Sequence, residues 1–413
     1  MPRLLVDVTP LRASPAFRAY YVGSVLSLLG SQFTVVALRY QVFQLTDSTL
    51  AVGMLALAQL FPLLIGSIGF GQLADALDRR RLLRTTQGVL IALSVGLALN
   101  AELARPHLWL IFVLAIAQSF VVGIDWPTRS SLVPRIVDEA TLPAALALNS
   151  LAFSLAAVVG PVLAGVVVAA RVSAAFWIDA VSYLALVVAL VSIPAQPASG
   201  TVKIGFGAIA DGGRYVRSNR LLQSTFVADL GAMIFGAPDA LFPAMSERVF
   251  GGGARTYGLL QAAPGVGAML AAGASGWTTR IRKRGRAVIW CIAIWGLAIA
   301  GFGATRSLPF ALACLALAGA ADGVSAIFRT TIVQITTPDE YRGRLSAIFV
   351  AVVRGGPRVG EFESGIAASL GGLQFAAWTG GLACIAWIVM TAKLYPELAA
   401  YTDESRDDSG ADG

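Results

Sequence analysis

Apolar residues fill this chain in long runs, and each run ends at a short stretch carrying charge, proline or glycine. A helix needs about 20 mostly apolar residues to cross the hydrocarbon core of a bilayer, because it rises only about 1.5 Å per residue. Runs of that length recur at Phe17 to Leu45, Thr49 to Ala74, Leu83 to Ala104, Leu108 to Trp126, Ala144 to Ala170 and Ala175 to Ile193. A second set follows at Leu221 to Met245, Tyr257 to Trp277, Ala287 to Ala304, Leu308 to Phe328, Leu345 to Leu370 and Leu373 to Leu394. The pattern predicts an all-α, polytopic membrane protein with twelve transmembrane helices in two six-helix bundles. The bundles are expected over residues 1–193 and 221–395. Between them, 194–220 is the longest polar-leaning interior stretch, and its Ile204, Ala208 and Tyr215 are spaced as one side of a short surface helix. The acidic tail, 396–413, is expected to be unstructured.

Composition agrees. With 56% hydrophobic and 13% charged residues and a mean hydropathy of +0.72, the chain lacks the polar side chains to coat its apolar mass, since soluble domains carry about a quarter charged residues. The first apolar run continues without a small-residue cleavage site into Arg39 and Gln41, so it reads as a spanning helix rather than a removable signal.

The net charge of +7 would suit nucleic acid, but its distribution excludes that partner. Basic residues gather in alternate loops: Arg79, Arg80, Arg81 and Arg84; Arg135; Lys203, Arg214, Arg217 and Arg220; Arg280 to Arg286; Arg342 and Arg344. The intervening loops offer only Arg105, Arg171, Arg248, Arg255 and Arg306. This asymmetry orients a chain in the cell membrane with both termini on the cytoplasmic side.

Cys291, Cys314 and Cys384 lie inside apolar runs and read as core residues, and the lone His107 sits in a short loop beside Pro106. No His/Cys cluster points to a metal, and no Gly-Lys-Ser/Thr ending points to nucleotide binding, so no cofactor is expected. No nucleophile and base stand in helical register, which argues against an enzyme.

Candidate chemistry is confined to charges that interrupt apolar runs. In the stretch Gly71 to Arg84, Gly71 permits close helix approach, Asp75 can face the positive end of a neighbouring helix, and Arg79 offers a planar fork to a carboxylate. The fifth run contains Gly160, Pro161, Ala164 and Gly165, where a missing backbone hydrogen bond bends the helix and small residues admit a neighbour. The eleventh places Arg354, Arg358, Glu361 and Glu363 around Pro357. The first three share a face if the helix continues through the proline. They would bind an anion, exchange a proton, or neutralise one another. Asp229 in the seventh run is a further pathway candidate, and Asp179 reads as a cap at the start of the sixth. A faint repeat sets Gly71 and Arg79 against Gly276 and Arg284, and Asp125 to Arg129 against Asp322 to Arg329.

The residues Gly71, Leu73, Ala74, Asp75, Arg79 and Arg80 resemble the loop signature of the major facilitator superfamily, with Ala76 and Asp78 departing from it. The resemblance implies a conformational latch of Gly71, Asp75, Arg79 and Arg80, with Asp125 as the partner of Arg79. It also implies that Gly160, Pro161 and Gly165 form the exporters' antiporter motif, with Ala164 replacing one glycine. The fourth run has Gln118 and Ser119 where many proton-coupled drug exporters have a mid-membrane arginine. SPAFRAYY at the start and GPRVGEFESG in the eleventh run are most similar to the enterobactin exporter group, with macrolide and multidrug efflux members as close relatives. This likeness implies a monomeric secondary transporter exporting a siderophore-like or amphipathic small molecule by alternating access, with protons as coupling ion on Asp125, Glu361 or Glu363. The alternatives are a broad drug efflux pump and, in another class, a membrane sensor or scaffold that transports nothing.

Overall fold

The computed structural model describes residues 7–70, 77–194 and 206–402. Gly71 and Asp75 of the expected latch lie outside the described residues, as does Lys203. The described chain is helical, and its helices in order are α1 (Thr9–Ala13), α2 (Pro15–Thr46), α3 (Thr49–Leu64), α4 (Arg79–Glu102), α5 (Leu108–Ile136), α6 (Leu142–Ala170), α7 (Val172–Val191) and α8 (Phe206–Ser218). They continue as α9 (Arg220–Phe235), α10 (Phe242–Arg248), α11 (Gly253–Gly273), α12 (Arg284–Ala304), α13 (Leu308–Thr336), α14 (Asp339–Gly371), α15 (Leu373–Leu394) and α16 (Pro396–Ala400).

Among the described residues, ten segments are long and apolar enough to cross a membrane. The other two expected spans are also single helices, α11 of 21 residues and α14 of 33, whose glycines, prolines and charges dilute their apolar character. Many large side chains left on the outside are apolar, among them Trp109, Val181, Trp290, Leu297 and Leu370. This inversion of a soluble surface is what a lipid solvent requires.

Helix ends follow local chemistry. Ser14 caps α2, its Oγ accepting from the Phe17 N–H at 3.1 Å and donating to the Ile136 carbonyl at 2.7 Å. Asp78 caps α4 by accepting from the Arg80 and Arg81 N–H groups. Asp47 ends α2 in the left-handed region at φ 51°, and Ser48 caps α3 directly after it.

The chain divides into two compact units, Met1–Gly205 with Ser246–Ala262, and Phe206–Met245 with Ala263–Gly413. In the first, α2 and α4 pack on α7, α6 packs on α2, and α3 and α4 pack on α5. One end of this unit is closed by Phe17, Tyr20, Leu83, Leu132, Leu148, Leu186 and their neighbours. In the second unit α12 packs on α13 and α15, while α9 packs on α14 and α15. Gly296 and Gly381 bring α12 and α15 together, since a Cβ on Gly296 would stand 2.7 Å from the Gly381 carbonyl oxygen.

The polar centre of the chain holds a helix, α8, whose Tyr215 stacks on Tyr341 with ring centroids 4.3 Å apart, while Ile204 of the expected surface helix lies outside the described residues. The tail differs from expectation at its start. Pro396–Ala400 is helical because Leu398 is fully buried and Glu397 pairs with Arg220 at 2.8 Å.

Candidate functional site

Two networks of buried charge stand out, one in each unit. In the second unit Arg329 of α13 is 2% exposed, a position at which an unpaired guanidinium would cost several kcal/mol. It is ion-paired with Asp229 of α9, also buried, and with Asp322 one face-repeat back on α13 at 3.1 Å. Asp322 is partly exposed, with 38% of its side chain accessible, so the network runs from the packed interior to an open face. The Nε of Arg329 has no hydrogen-bond partner among the described residues, which leaves one buried donor for a further acceptor.

The same helix, α13, also lines a cavity of about 660 Å³, walled by Thr330, Val333, Gln334 and Thr337 of α13 and by Arg342, Leu345 and Phe349 of α14. Small-molecule sites are usually of this size and mix apolar walls with a few polar groups. Thr330 follows Arg329 directly, so the charged network and the cavity share one stretch of α13.

The four charges of α14 sit on an unbroken helix that passes through Pro357. Its glycines make the contact with α9: a Cβ on Gly356 would lie 2.9 Å from the Met233 Cβ, and one on Gly360 would lie 2.7 Å from the Ile234 carbonyl oxygen. Glu361 is therefore buried beside α9, at 3% exposure, while Arg354, Arg358 and Glu363 are half-buried. Asp229 and Glu361 thus belong to neighbouring helices of one unit, a juxtaposition the sequence order conceals.

In the first unit, Asp125 and Arg129 of α5 form an i, i+4 pair at 2.5 Å, both buried. The other oxygen of Asp125 accepts from the Thr86 hydroxyl at 2.9 Å and from Gln87 Nε2 at 2.6 Å, both on α4. Arg129 donates to Ser27 Oγ at 2.9 Å and Ser24 Oγ at 3.3 Å on α2. Asp125 therefore pairs with Arg129 in this structure, not with Arg79 as expected. A partner four residues away on the same helix is already held at bonding distance by the helix itself. Arg79 is buried and its Nε donates to Ser131 Oγ at 3.1 Å. Arg80 donates to the Leu190 and Val191 carbonyls at 2.8 and 2.9 Å, satisfying the open end of α7.

The small residues of α6 lie close against neighbouring helices. A Cβ on Gly160 would stand 2.6 Å from the Cβ of Gln32 on α2, and one on Gly165 would stand 2.6 Å from the Ala254 carbonyl oxygen and 3.0 Å from the Gly258 Cα on α11. Nearby, Tyr40 stacks on Tyr257 at 6.1 Å, and Arg248 pairs with Asp47 while lying over the Phe43 ring. All of these residues belong to the first unit.

Three residues escape sequence reasoning. Arg129 and Arg329 figure in it only as echoes of each other, although an arginine following an aspartate at four or seven residues in an apolar run is an available signal. Asp179 is the third, and its expected place at the start of a helix is wrong. The helix α7 starts at Val172, so Asp179 lies two turns inside it, fully buried, and caps nothing.

A profile described as transmembrane secretion effector matches residues 6–409 of the chain. An enterobactin exporter of Citrobacter koseri is 28% identical over 377 residues, covering 89% of this chain and 88% of that protein. Its counterpart in Shigella boydii is 27% identical over the same length. Among solved structures, the nucleoside transporter NupG superposes with a TM-score of 0.72 at 15% identity, over 94% of this chain and all of the other. A bacterial homologue of the human lysosomal transporter Spinster, in an inward-facing and unoccupied conformation, gives 0.70 at 14% identity over 95% and 98% of the two chains. At such identities the structural likeness shows the fold alone.

Proposed function

We propose, because this chain belongs to the transmembrane secretion effector family and has the major facilitator fold, that this membrane transporter exports a small siderophore-like molecule by alternating access coupled to proton entry. The observation that carries the reading is that α13 holds both the buried Arg329–Asp229–Asp322 network and one wall of the 660 Å³ cavity. Charge in an apolar helix is costly and is retained where it serves a pathway. The cavity combines Arg342 with Thr330, Gln334 and Thr337 on walls of Val333, Leu345 and Phe349, which suits an anionic, ring-bearing molecule rich in hydroxyl groups. The enterobactin-exporting relatives support that class of cargo.

In this reading Arg354 and Arg358 attract the anion along α14, and Asp229, Glu361 and Glu363 exchange protons as the cargo moves. Gly71, Asp75, Arg79 and Arg80 latch the cytoplasmic face, with both termini on that side, and the working unit is a monomer. The bend at Gly160, Pro161 and Gly165 keeps the pathway sealed on one side at a time. The proton gradient supplies about 2.3 kcal/mol per charge per 100 mV, in addition to its pH component.

The test compares exported metabolites and dye efflux in cells with the gene, without it, and with it restored. Loss of secreted catecholate-type molecules with unchanged dye efflux is the expected result. Altered dye efflux with unchanged secretion would replace it with a broad drug pump, and vesicles that move no solute under an imposed pH gradient would favour a membrane sensor.

A further inference from the structure

Asp179 has no place in the charge networks of the two units, yet among the described residues no carboxylate of the first unit is buried more completely. It sits within α7 where α2 and α4 close over it. Its Oδ2 accepts from the Thr34 hydroxyl of α2 at 2.6 Å and from the Ser94 hydroxyl of α4 at 2.8 Å. Its Oδ1 has no hydrogen-bond partner among the described residues. Among the described residues no arginine, lysine or histidine pairs with it, in contrast with Asp125 and Asp229, which both hold an arginine. The remaining ionisable neighbour is Tyr183, one turn further along α7. Tyr183 in turn neighbours Gln118 and lies near the Asp125–Arg129 pair.

The neutral hydroxyls of Thr34, Ser94 and Tyr183 around it carry no charge to offset an ionised carboxylate buried away from water, whereas a protonated carboxyl needs no counter-charge. The arrangement is also continuous. Ser27 and Thr34 lie seven residues apart on one face of α2, and Gln87 and Ser94 lie seven apart on one face of α4. The same two helix faces therefore serve Asp125–Arg129 at one level and Asp179 about 10 Å along the bundle. Tyr183 neighbours both Asp179 and the Asp125–Arg129 pair, with Gln118 beside it.

We propose that Asp179 is a proton-binding site of the first unit, which holds its proton in this conformation and releases it by way of Tyr183 toward the Asp125–Arg129 pair. That this proton is among those exchanged for cargo rests on the exporter reading. That Asp179 is protonated does not.

The experiment has two arms on the purified full chain in lipid vesicles. Infrared spectroscopy at neutral pH should show a carboxylic acid carbonyl band that shifts in heavy water and is absent in Asp179→Asn. Thr34→Val, which removes one hydrogen bond to the carboxyl and leaves the acid in place, should move that band to higher frequency. A spectrum identical in wild type and Asp179→Asn, or a band that Thr34→Val leaves in place, would overturn the proposal. In the second arm, Asp179→Asn should keep downhill solute movement but lose accumulation driven by a pH gradient. Full gradient-driven accumulation by this variant would refute its coupling role. Wild-type vesicles that move no candidate solute would count against the exporter reading alone, since the infrared arm needs no substrate.

Discussion

At the scale of single residues, the unit of design is an arginine buried with the carboxylate that makes its burial tolerable. Arg329 and Asp229 are each 2% exposed on their side chains, so removing either leaves the other uncompensated in an apolar interior. Arg329→Gln should lower stability by about 3–5 kcal/mol, read as thermal unfolding of the detergent-solubilised protein. The double variant with Asp229→Asn should recover most of that loss, and an equal loss in single and double variants would show the pair to be uncoupled. Arg79 and Arg80 separate two roles that neighbouring residues hide in sequence. Arg80→Ala removes the hydrogen bonds to the Leu190 and Val191 carbonyls and should cost about 1 kcal/mol of stability, read as thermal unfolding. Arg79→Ala, if the latch depends on it, should slow transport about tenfold, equivalent to roughly 1.4 kcal/mol, with normal membrane insertion. The Arg329 pair is not legible from residue type alone, because Asp229 and Arg329 are 100 positions apart.

At the scale of elements, glycines decide which helices share a wall. Gly165 lies against the α11 backbone, so Gly165→Leu should force α6 and α11 apart and abolish transport while the chain still inserts, measured by vesicle flux and surface labelling. Gly360→Leu should act likewise on α9 and α14, moving Glu361 away from the Asp229 helix. The helices themselves are readable, since a run of about 20 apolar residues has few alternatives in lipid. Their polar exceptions are harder. Sequence leaves open whether α14 survives Pro357, and the helix is continuous because its packing on α9 holds the turns on either side. Asp179 reads as a cap only when apolar length is used to place the start of α7. The helix begins at Val172, before the apolar run, and the supposed cap becomes a buried acid two turns inside.

At the scale of the whole molecule, the family, the fold and the twelve-helix plan all point to transport, and on the proposed reading the charges that meet the cargo sit in the second unit. Arg358→Ala should weaken binding of an anionic cargo about tenfold while a cationic dye is handled nearly as before, a contrast measurable by competition in vesicles. The sequence alone determined the helical class, the number and order of the long runs, and the membrane as solvent. These depend on local apolar length and composition, which need no tertiary contact to act. It also marked Gly160, Pro161, Gly165 and the α14 charges as exceptional, since each breaks a rule of membrane helices. Tertiary structure alone decided that Asp125 answers to Arg129 rather than Arg79, that Asp229 meets Arg329, and that Asp179 is enclosed by Thr34 and Ser94. The reason is physical: apolar length is a property of each helix, whereas the partner of a buried charge depends on how faces of several helices rotate and meet.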